Sequence, residues 1–195
     1  LILFSGDYNR PDGLSTYLRR FGFKCTLVDN DVKKGNPEDN LLKDSFYRQL
    51  LDRVSSGEFL AIFAAPPCST FSIARFLKAK DGKPGPPIVR DRDHPDGLEH
   101  VPTGHRRELH EANGLVARMN ALLAAGWHVG TQFIIESPVD RGDRAYPKHF
   151  VDERHAPLWV VPSVQALAKA TGARLVHFAQ CMFGASWQKR TIFMY

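Results

Sequence analysis

The chain has 195 residues, a length typical of one domain with a single good-sized core. Its apolar fraction of 43% and charged fraction of 24% are ordinary for a globular protein, and no long apolar run predicts a membrane span. A net charge of +5 permits an anionic partner such as nucleic acid without requiring one. Cys25, Cys68 and Cys181 form no Cys-x-x-Cys pair, which argues against a zinc finger or a disulfide framework and favours an intracellular protein.

The first third of the chain alternates short apolar runs with helical periodicity. Glycine or an acidic or proline residue ends most of these runs, at Gly6, Gly22, Asp29 and Pro66. The predicted strands cover 1–4, 24–29 and 59–65, and the predicted helices cover 14–21 and 45–54. This alternation predicts a parallel sheet with right-handed crossovers.

The middle of the chain loses this periodicity. Residues 77–107 are rich in Gly, Pro and charge, which is typical of a functional lid or a disordered segment. Helical spacing returns over 109–123, and Gly126 is expected to end that helix. The basic residues of this region, which would be able to face a nucleic-acid backbone or only the solvent, are Arg75, Lys78, Lys80, Lys83, Arg90, Arg92, Arg106 and Arg107.

The last third predicts a strand that ends at Glu136, a helix from Ser163 to Gly172, and two strands at 173–178 and 190–195. We expect one doubly wound α/β domain over 1–195. We also expect the chain to be part of a longer one, because it starts without Met and stops directly after an apolar run.

Four predicted strands end in residues suited to chemistry, namely Ser5-Gly6, Asp29, the segment 66–68 and Glu136. Ligands of open parallel sheets bind outside the carboxyl ends of the strands, so we expect the site there. A thiol placed after Pro66-Pro67 suits a nucleophile, although a small packed residue is the alternative for Cys68 alone. Phosphatase and thiol-protease patterns fit the surrounding residues poorly.

Five stretches, in chain order, carry a resemblance to a known family. They are "LFSG", "VDND", "PPCSTFS", "IIESP" and "FGASWQKRTIFM", and together they resemble the DNA cytosine-5 methyltransferases. The late Gly-x-x-x-x-Lys-x-Thr pattern is most similar to the phage-type and mobile-element-type branches. The resemblance implies a Rossmann-like, mostly parallel sheet with an antiparallel last strand, here without the target-recognition domain.

The resemblance also implies roles for individual residues. Cys68 would attack carbon 6 of a flipped cytosine, Glu136 would hydrogen-bond N3 and the exocyclic amine, and Arg190 would orient the base or a phosphate. The implied ligands are DNA and S-adenosyl-L-methionine. Residues implied to contact the substrate are Pro67, Ser72, Arg75 and Lys189, and those implied to bind the cofactor are Phe4, Ser5, Gly6, Asp7, Asp29, Asn30, Asp44 and Pro66.

The sequence departs from the family pattern at two motifs. Gly6 is followed by "DYNRPDG" where further glycines are usual, and Ser137 stands where the Glu motif usually has Asn. Two other functions therefore stay open: a methyltransferase-like module that binds nucleic acid without catalysis, and an amino-methyltransferase. RNA stays open as the substrate, and the expected location is the nucleus in a eukaryote or the cytoplasm otherwise.

The remaining features favour structural roles. His149 and His155 flank Asp152 in a stretch that we interpret as a polar surface loop, not as a metal site. Cys25 and Cys181 lie in or beside apolar strands and are expected in the core. Trp187 neighbours Arg190 and is a candidate for stacking on a base.

Overall fold

Short strands alternate with helices along most of the chain, which is the pattern of an α/β protein. In the computed structural model the described residues are 1–78, 82, 85–184, 186 and 188–195. They form two compact units. The first unit comprises 1–66, 117–136 and 195, and the second comprises 67–116 and 137–194.

The first unit is built on parallel strands. Its elements are β1 (Ile2–Leu3), α1 (Leu14–Arg20), β2 (Leu27–Val28), α2 (Asp44–Ser55), β3 (Ala61–Ala64), the second half of α3 (Thr103–His128) and most of β4 (Gln132–Pro138). All neighbouring strands pair in parallel, in the order β2-β1-β3-β4. Leu3, Ile62 and Ile135 are fully buried, while burial alternates with exposure along β3 and β4, as it does in strands that have one covered face.

The second unit has fewer regular elements. It contains short 3-10 turns at Ser69–Phe71 and Ile73–Phe76, the first half of α3, and α4 (Pro162–Thr171). Its two strands, β5 (Leu175–Ala179) and β6 (Arg190–Met194), pair antiparallel, with Leu175 opposite Met194 and Ala179 opposite Arg190. The α/β class, the mostly parallel strand pairing and the antiparallel last strand are therefore confirmed.

Several predicted boundaries are wrong. α3 begins at Thr103, inside the segment predicted to be irregular to residue 107, because the prediction used apolar spacing and that spacing starts only at Leu109. The same helix continues past Gly126 to His128. β4 runs two residues beyond Glu136. α4 begins at Pro162, whose fixed φ suits the first helical position, and ends as predicted before Gly172.

The structure offers neither a membrane-crossing helix nor a metal-ligand cluster in the part of the chain that it describes. No described helix is long and apolar enough to cross a bilayer. No group of three or more His, Cys, Asp or Glu among the described residues is placed to hold a metal ion.

Candidate functional site

The strand order of the first unit locates the expected ligand-binding edge. β1 lies between β2 and β3, so the chain leaves β1 toward one side and later returns on the other. Such a switch point opens a crevice outside the carboxyl ends of the two central strands. Three of the predicted residues, Gly6, Asp29 and Pro66, follow neighbouring strands at these ends, and Glu136 lies inside β4, two residues before its end.

The backbone after β1 is shaped unusually. Phe4 has a φ of 58°, a left-handed value that is rare for a bulky residue and clusters at functional sites. Gly6 has a φ of 67°, and a Cβ on it would meet no atom within 4 Å. The conformation of Gly6 suits glycine, and the space beside it is open.

Asp29 holds this turn in place through its carboxylate. The Gly6 amide donates to Asp29 Oδ2 (2.8 Å), and the Asp31 amide donates to Oδ1 (2.9 Å). Each carboxylate oxygen keeps a second lone pair, which a ribose hydroxyl is able to occupy. Asp29 is half-buried and connects the ends of β1 and β2.

Tyr8 also stabilises the turn at Asp29. Its hydroxyl accepts a hydrogen bond from the Asp29 amide (2.9 Å) and donates to Asp39. Burial, followed by the bond to Asp39, raises the pKa of the Tyr8 hydroxyl well above its ordinary value. The hydroxyl therefore stays protonated, as its donor role requires.

Gly35 allows the loop after β2 to fold back closely. A Cβ on Gly35 would lie 2.2 Å from the carbonyl oxygen of Asp29, so any side chain would force the backbone apart. The Asn36 amide donates to that same carbonyl (2.8 Å). The loop residues Gly35 and Asn36 therefore both contact the Asp29 carbonyl.

Three other predicted cofactor residues contact protein groups or solvent. Asp44 is the first residue of α2 and pairs with Arg118, which lowers its pKa. Asp7 Oδ1 accepts a hydrogen bond from the Asn9 amide (2.9 Å), and Asn30 is exposed. The ion pair with Arg118 gives Asp44 a structural role that needs no ligand.

In the second unit, Cys68 is a free, exposed cysteine at the start of the first 3-10 turn. Its carbonyl accepts a hydrogen bond from the Phe71 amide (3.0 Å), and Pro67 before it is also exposed. Ser72 separates the two 3-10 turns and its hydroxyl accepts a hydrogen bond from the Ala74 amide (3.2 Å). The thiol is accessible on a tightly turned loop.

Arg75 holds this loop from within. Its side chain is 5% exposed and donates to the carbonyls of Ser69 (2.8 Å) and Pro87 (2.7 Å) and to Glu108 (2.6 Å). Burial would raise the pKa of Glu108, but hydrogen bonds from His105, Arg75 and Ser69 hold it down at about 2. These bonds favour a structural role for Arg75 over the predicted contact with the substrate.

Arg90 is buried more deeply still, at 1% exposure. Its guanidinium lies 4.0 Å from the centre of the Phe71 ring and donates to Thr70 Oγ1 and Asn113 Oδ1 (3.0 Å each). Burial lowers the pKa of Arg90 to about 10. Arg90 was predicted to face either nucleic acid or solvent, and instead it supports the cysteine loop.

His155 joins the cysteine loop to a distant part of the same unit. The Arg141 amide donates to His155 Nδ1 (3.1 Å), so the proton of the neutral ring is on Nε2, which donates to the Phe71 carbonyl (2.9 Å). His155 is 2% exposed. The interpretation of His155 as part of a polar surface loop is therefore wrong.

A cavity of about 360 Å³ lies within the second unit, and His155 and Phe71 are among the residues that line it. Its apolar wall contains Phe71, Ile73, Pro138, Val139, Pro157 and Leu158. Its polar lining contains Ser72, Ser137, Arg141, Lys148, His155, Gln188, Lys189 and Arg190. Three predicted site residues, Ser72, Lys189 and Arg190, thus line one cavity.

Arg190 is fixed at the start of β6 by a side-chain contact. Its Nη1 donates to His149 Nε2 (3.0 Å), and the Val139 amide donates to the Arg190 carbonyl (3.2 Å). An arginine is always a donor, so His149 is neutral here and carries its proton on Nδ1. The half-buried guanidinium keeps further N–H groups for a ligand.

Sequence reasoning did not identify Arg141, Lys148, His149 and His155 as site residues, because nothing local distinguishes them in an irregular stretch. It also placed Cys181 in the core, whereas this cysteine is exposed on the 3-10 turn after β5. The candidates Trp187, Lys80 and Lys83 lie outside the described residues.

Comparisons with family models, with curated proteins and with solved structures find no match to this chain.

Proposed function

We propose that the chain is a DNA cytosine-5 methyltransferase catalytic region that uses S-adenosyl-L-methionine. The observation that carries the proposal is the cavity of the second unit. Residues 71–72 of the cysteine motif and 188–190 of the late motif line it together, and the resemblance assigns both motifs to the target base. Its volume lies in the lower range of small-molecule pockets, and its apolar wall suits a flat ring.

Each of the three proposed catalytic residues has a separate role in the reaction. The Cys68 thiolate would add to carbon 6 of cytosine, which would make carbon 5 nucleophilic. Carbon 5 would take the methyl group of the bound donor, which would leave as S-adenosyl-L-homocysteine. Carbon 5 would then lose its proton to water as the carbon–sulfur bond breaks and the thiolate leaves. Arg190 orients the base, and Glu136 carries the role of hydrogen-bonding N3 and the exocyclic amine. A cytosine in a duplex must leave the stack to be reached.

The parallel edge of the first unit supports the methyl-donor part of the proposal. When bound, S-adenosyl-L-methionine supplies an electrophilic methyl group. The left-handed backbone at Phe4 and Gly6 exposes the end of β1 at the switch point, and Asp29 offers lone pairs for ribose hydroxyls. Asp44, another acidic residue assigned to the cofactor, is exposed and pairs with Arg118 in this unit.

The test is covalent trapping. DNA that contains 5-fluorocytosine, mixed with protein and S-adenosyl-L-methionine, is expected to form a stable adduct on Cys68, since fluorine blocks the final elimination. Mass spectrometry of peptides locates the adduct. Cys68→Ala is expected to remove adduct and reduce methyl transfer at least about a thousandfold.

Cys181→Ala is the matched control, because Cys181 is also free and exposed. It is expected to form the adduct as wild type does. Wild-type protein that binds the methyl donor yet gives no adduct would contradict the cytosine-5 chemistry. Methyl transfer that persists in Cys68→Ala would instead support an amino-methyltransferase.

A second candidate is a nucleic-acid-binding module without catalysis. It is favoured because the acidic residues expected to bind the cofactor already have partners in the protein. Both Asp29 carboxylate oxygens accept hydrogen bonds from backbone N–H groups, and Asp44 forms an ion pair with Arg118. Calorimetry with S-adenosyl-L-methionine decides between the two. Measurable binding that Asp29→Ala removes supports the enzyme, and DNA binding without cofactor binding supports the module.

A further inference from the structure

A groove of about 420 Å³ lies in the first unit, toward the edge of the sheet where the strands begin. Ile2 and Ala61, the first residues of β1 and β3, line it together with Leu18 of α1. β1 and β3 are parallel, so the starts of both strands lie opposite the carboxyl ends that Gly6 and Pro66 follow. The groove is therefore a surface separate from the candidate site.

Apolar side chains form most of the groove, and two of them are strongly exposed. Leu60 is 74% exposed and Phe23 is 49% exposed, and both line the groove. Phe21, which follows the last residue of α1, is exposed as well. Single exposed apolar residues are ordinary, but apolar residues exposed together around a concave surface indicate a site of interaction. An apolar side chain of a partner would find packing contacts here.

The unpaired charge at the groove has one sign. Lys24 lines the groove, and Arg19 and Arg20 occupy the last turn of α1, directly after the groove residue Leu18. The sequence has no Asp or Glu from residue 13 to residue 28. In the described part of the first unit the ion pairs join other residues, namely Arg10–Asp12, Lys43–Glu38, Arg53–Glu58 and Arg118–Asp44. Three cations at the groove thus keep their charge for a partner.

The acidic residue of the groove does not neutralise these cations. Glu58 is the only Asp or Glu among the described residues that line it, and its carboxylate accepts from Arg53 Nε (2.8 Å) and Nη2 (2.5 Å). The Arg53 guanidinium lies 5.0 Å from the centre of the Phe59 ring, which also holds this pair on the protein. The groove therefore combines apolar contacts with positive charge.

We propose that this groove is a docking site for an acidic segment of a partner protein. An apolar side chain of the segment packs against Phe23 and Leu60, and flanking Asp or Glu residues pair with Lys24, Arg19 and Arg20. Complementary charge speeds the encounter and disfavours basic partners. A protein segment suits a concave surface better than a bilayer does, because apolar residues enter a bilayer by projecting from the protein. No residue of the groove has a role in the proposed reaction.

The test begins with a random dodecapeptide library displayed on phage and selected on immobilised wild-type protein. Enriched peptides are expected to carry an aromatic or aliphatic residue flanked by Asp or Glu. The most enriched peptide is then synthesised and titrated into protein variants in a calorimeter. Lys24→Glu and Leu60→Asp are each expected to weaken its binding at least about tenfold, because each adds negative charge to the groove.

Lys33→Glu and Val32→Asp are the matched controls. They make the same two changes at exposed residues of the first unit that do not line the groove, and they are expected to leave the affinity unchanged. A peptide in which Lys replaces each acidic residue is expected to bind Lys24→Glu more tightly than it binds wild-type protein.

Cys25 reports where the peptide binds, because this free, half-buried cysteine lines the groove. Bound peptide is expected to slow alkylation of Cys25 by iodoacetamide and to leave alkylation of Cys68 and Cys181 unchanged.

Three results would each overturn the proposal: no peptide is selected, the selected peptides lack acidic residues, or Lys24→Glu and Leu60→Asp leave their affinity unchanged. Binding to phosphatidylserine vesicles with no peptide selected would assign this surface to a membrane instead. Leu60→Asp is expected to form the Cys68 adduct as wild type does, so failure of this inference and failure of the proposed function appear in different measurements.

Discussion

The two units satisfy their polar groups in opposite ways. In the first unit the residues at the carboxyl edge bond to one another: Asp29 accepts from Gly6, and Tyr8 bonds to the same turn. In the second unit, arginines are buried to hold an irregular loop, while Arg141 and Lys148 at the cavity have no carboxylate partner in the described part of the chain. The comparison teaches that charge at a site has to be judged by its pairing and not by its abundance.

The largest expected effect is on the loop of the second unit. Arg90→Ala removes a buried guanidinium from Phe71, Thr70 and Asn113 and leaves their polar atoms unsatisfied. We expect the free energy of unfolding in urea to fall by about 4 kcal/mol. Arg90→Lys keeps the charge but not the fork, so it is expected to recover only part of this loss.

Arg107→Ala is the control for Arg90→Ala, because the Arg107 side chain is 88% exposed and pairs with Glu111 on the same helix. Its removal is expected to leave the free energy of unfolding close to that of the wild type. Equal losses in both variants would refute the claim that burial distinguishes the two arginines.

The next effect is pH-dependent and belongs to Glu108. The folded-state pKa of about 2 lies below the ordinary value of 4.5 for an unpaired Glu. The stabilisation by the Glu108 carboxylate is therefore present above pH 4.5 and is lost as the pH falls toward 2. Glu108→Gln is expected to lower stability by about 2 kcal/mol at pH 7 and by much less near pH 2. Urea unfolding at several pH values measures it, and a constant difference across this range would contradict the assignment.

The smallest expected effect concerns the first unit. Tyr8→Phe removes the hydroxyl that accepts from the Asp29 amide and donates to Asp39. We expect stability to fall by about 1 kcal/mol, with a few-fold weaker affinity for S-adenosyl-L-methionine in calorimetry. Tyr17→Phe, an exposed hydroxyl on α1, is the matched control and is expected to change neither quantity.

Local signals in the sequence identified the framework of the first unit. The apolar runs predicted the parallel strands, and Gly6, Asp29 and Pro66 do follow their carboxyl ends. These features are readable because each depends on neighbours in the chain. Element boundaries were less accurate, since the helix that begins at Thr103 has no apolar spacing before Leu109.

The cavity could not be predicted in the same way. His155 forms a hydrogen bond with the carbonyl of Phe71, which is 84 residues away in the sequence. No local sequence pattern predicts such a contact. Nothing in the sequence indicated that Arg75 and Arg90 are buried, because the residues around them in the chain are charged, as they are in a solvated loop. The Arg190 motif was found only because the resemblance marked it.

The histidine bridge gives the support of the cysteine loop a reporter at a single position. The His155 ring accepts a hydrogen bond from the Arg141 amide on one nitrogen and contacts the Phe71 carbonyl of the loop through the other. The Arg141 amide exchanges with deuterium only when its bond to the ring opens. Its exchange rate therefore measures how often the Arg141 end of this bridge opens, without any label placed near the thiol.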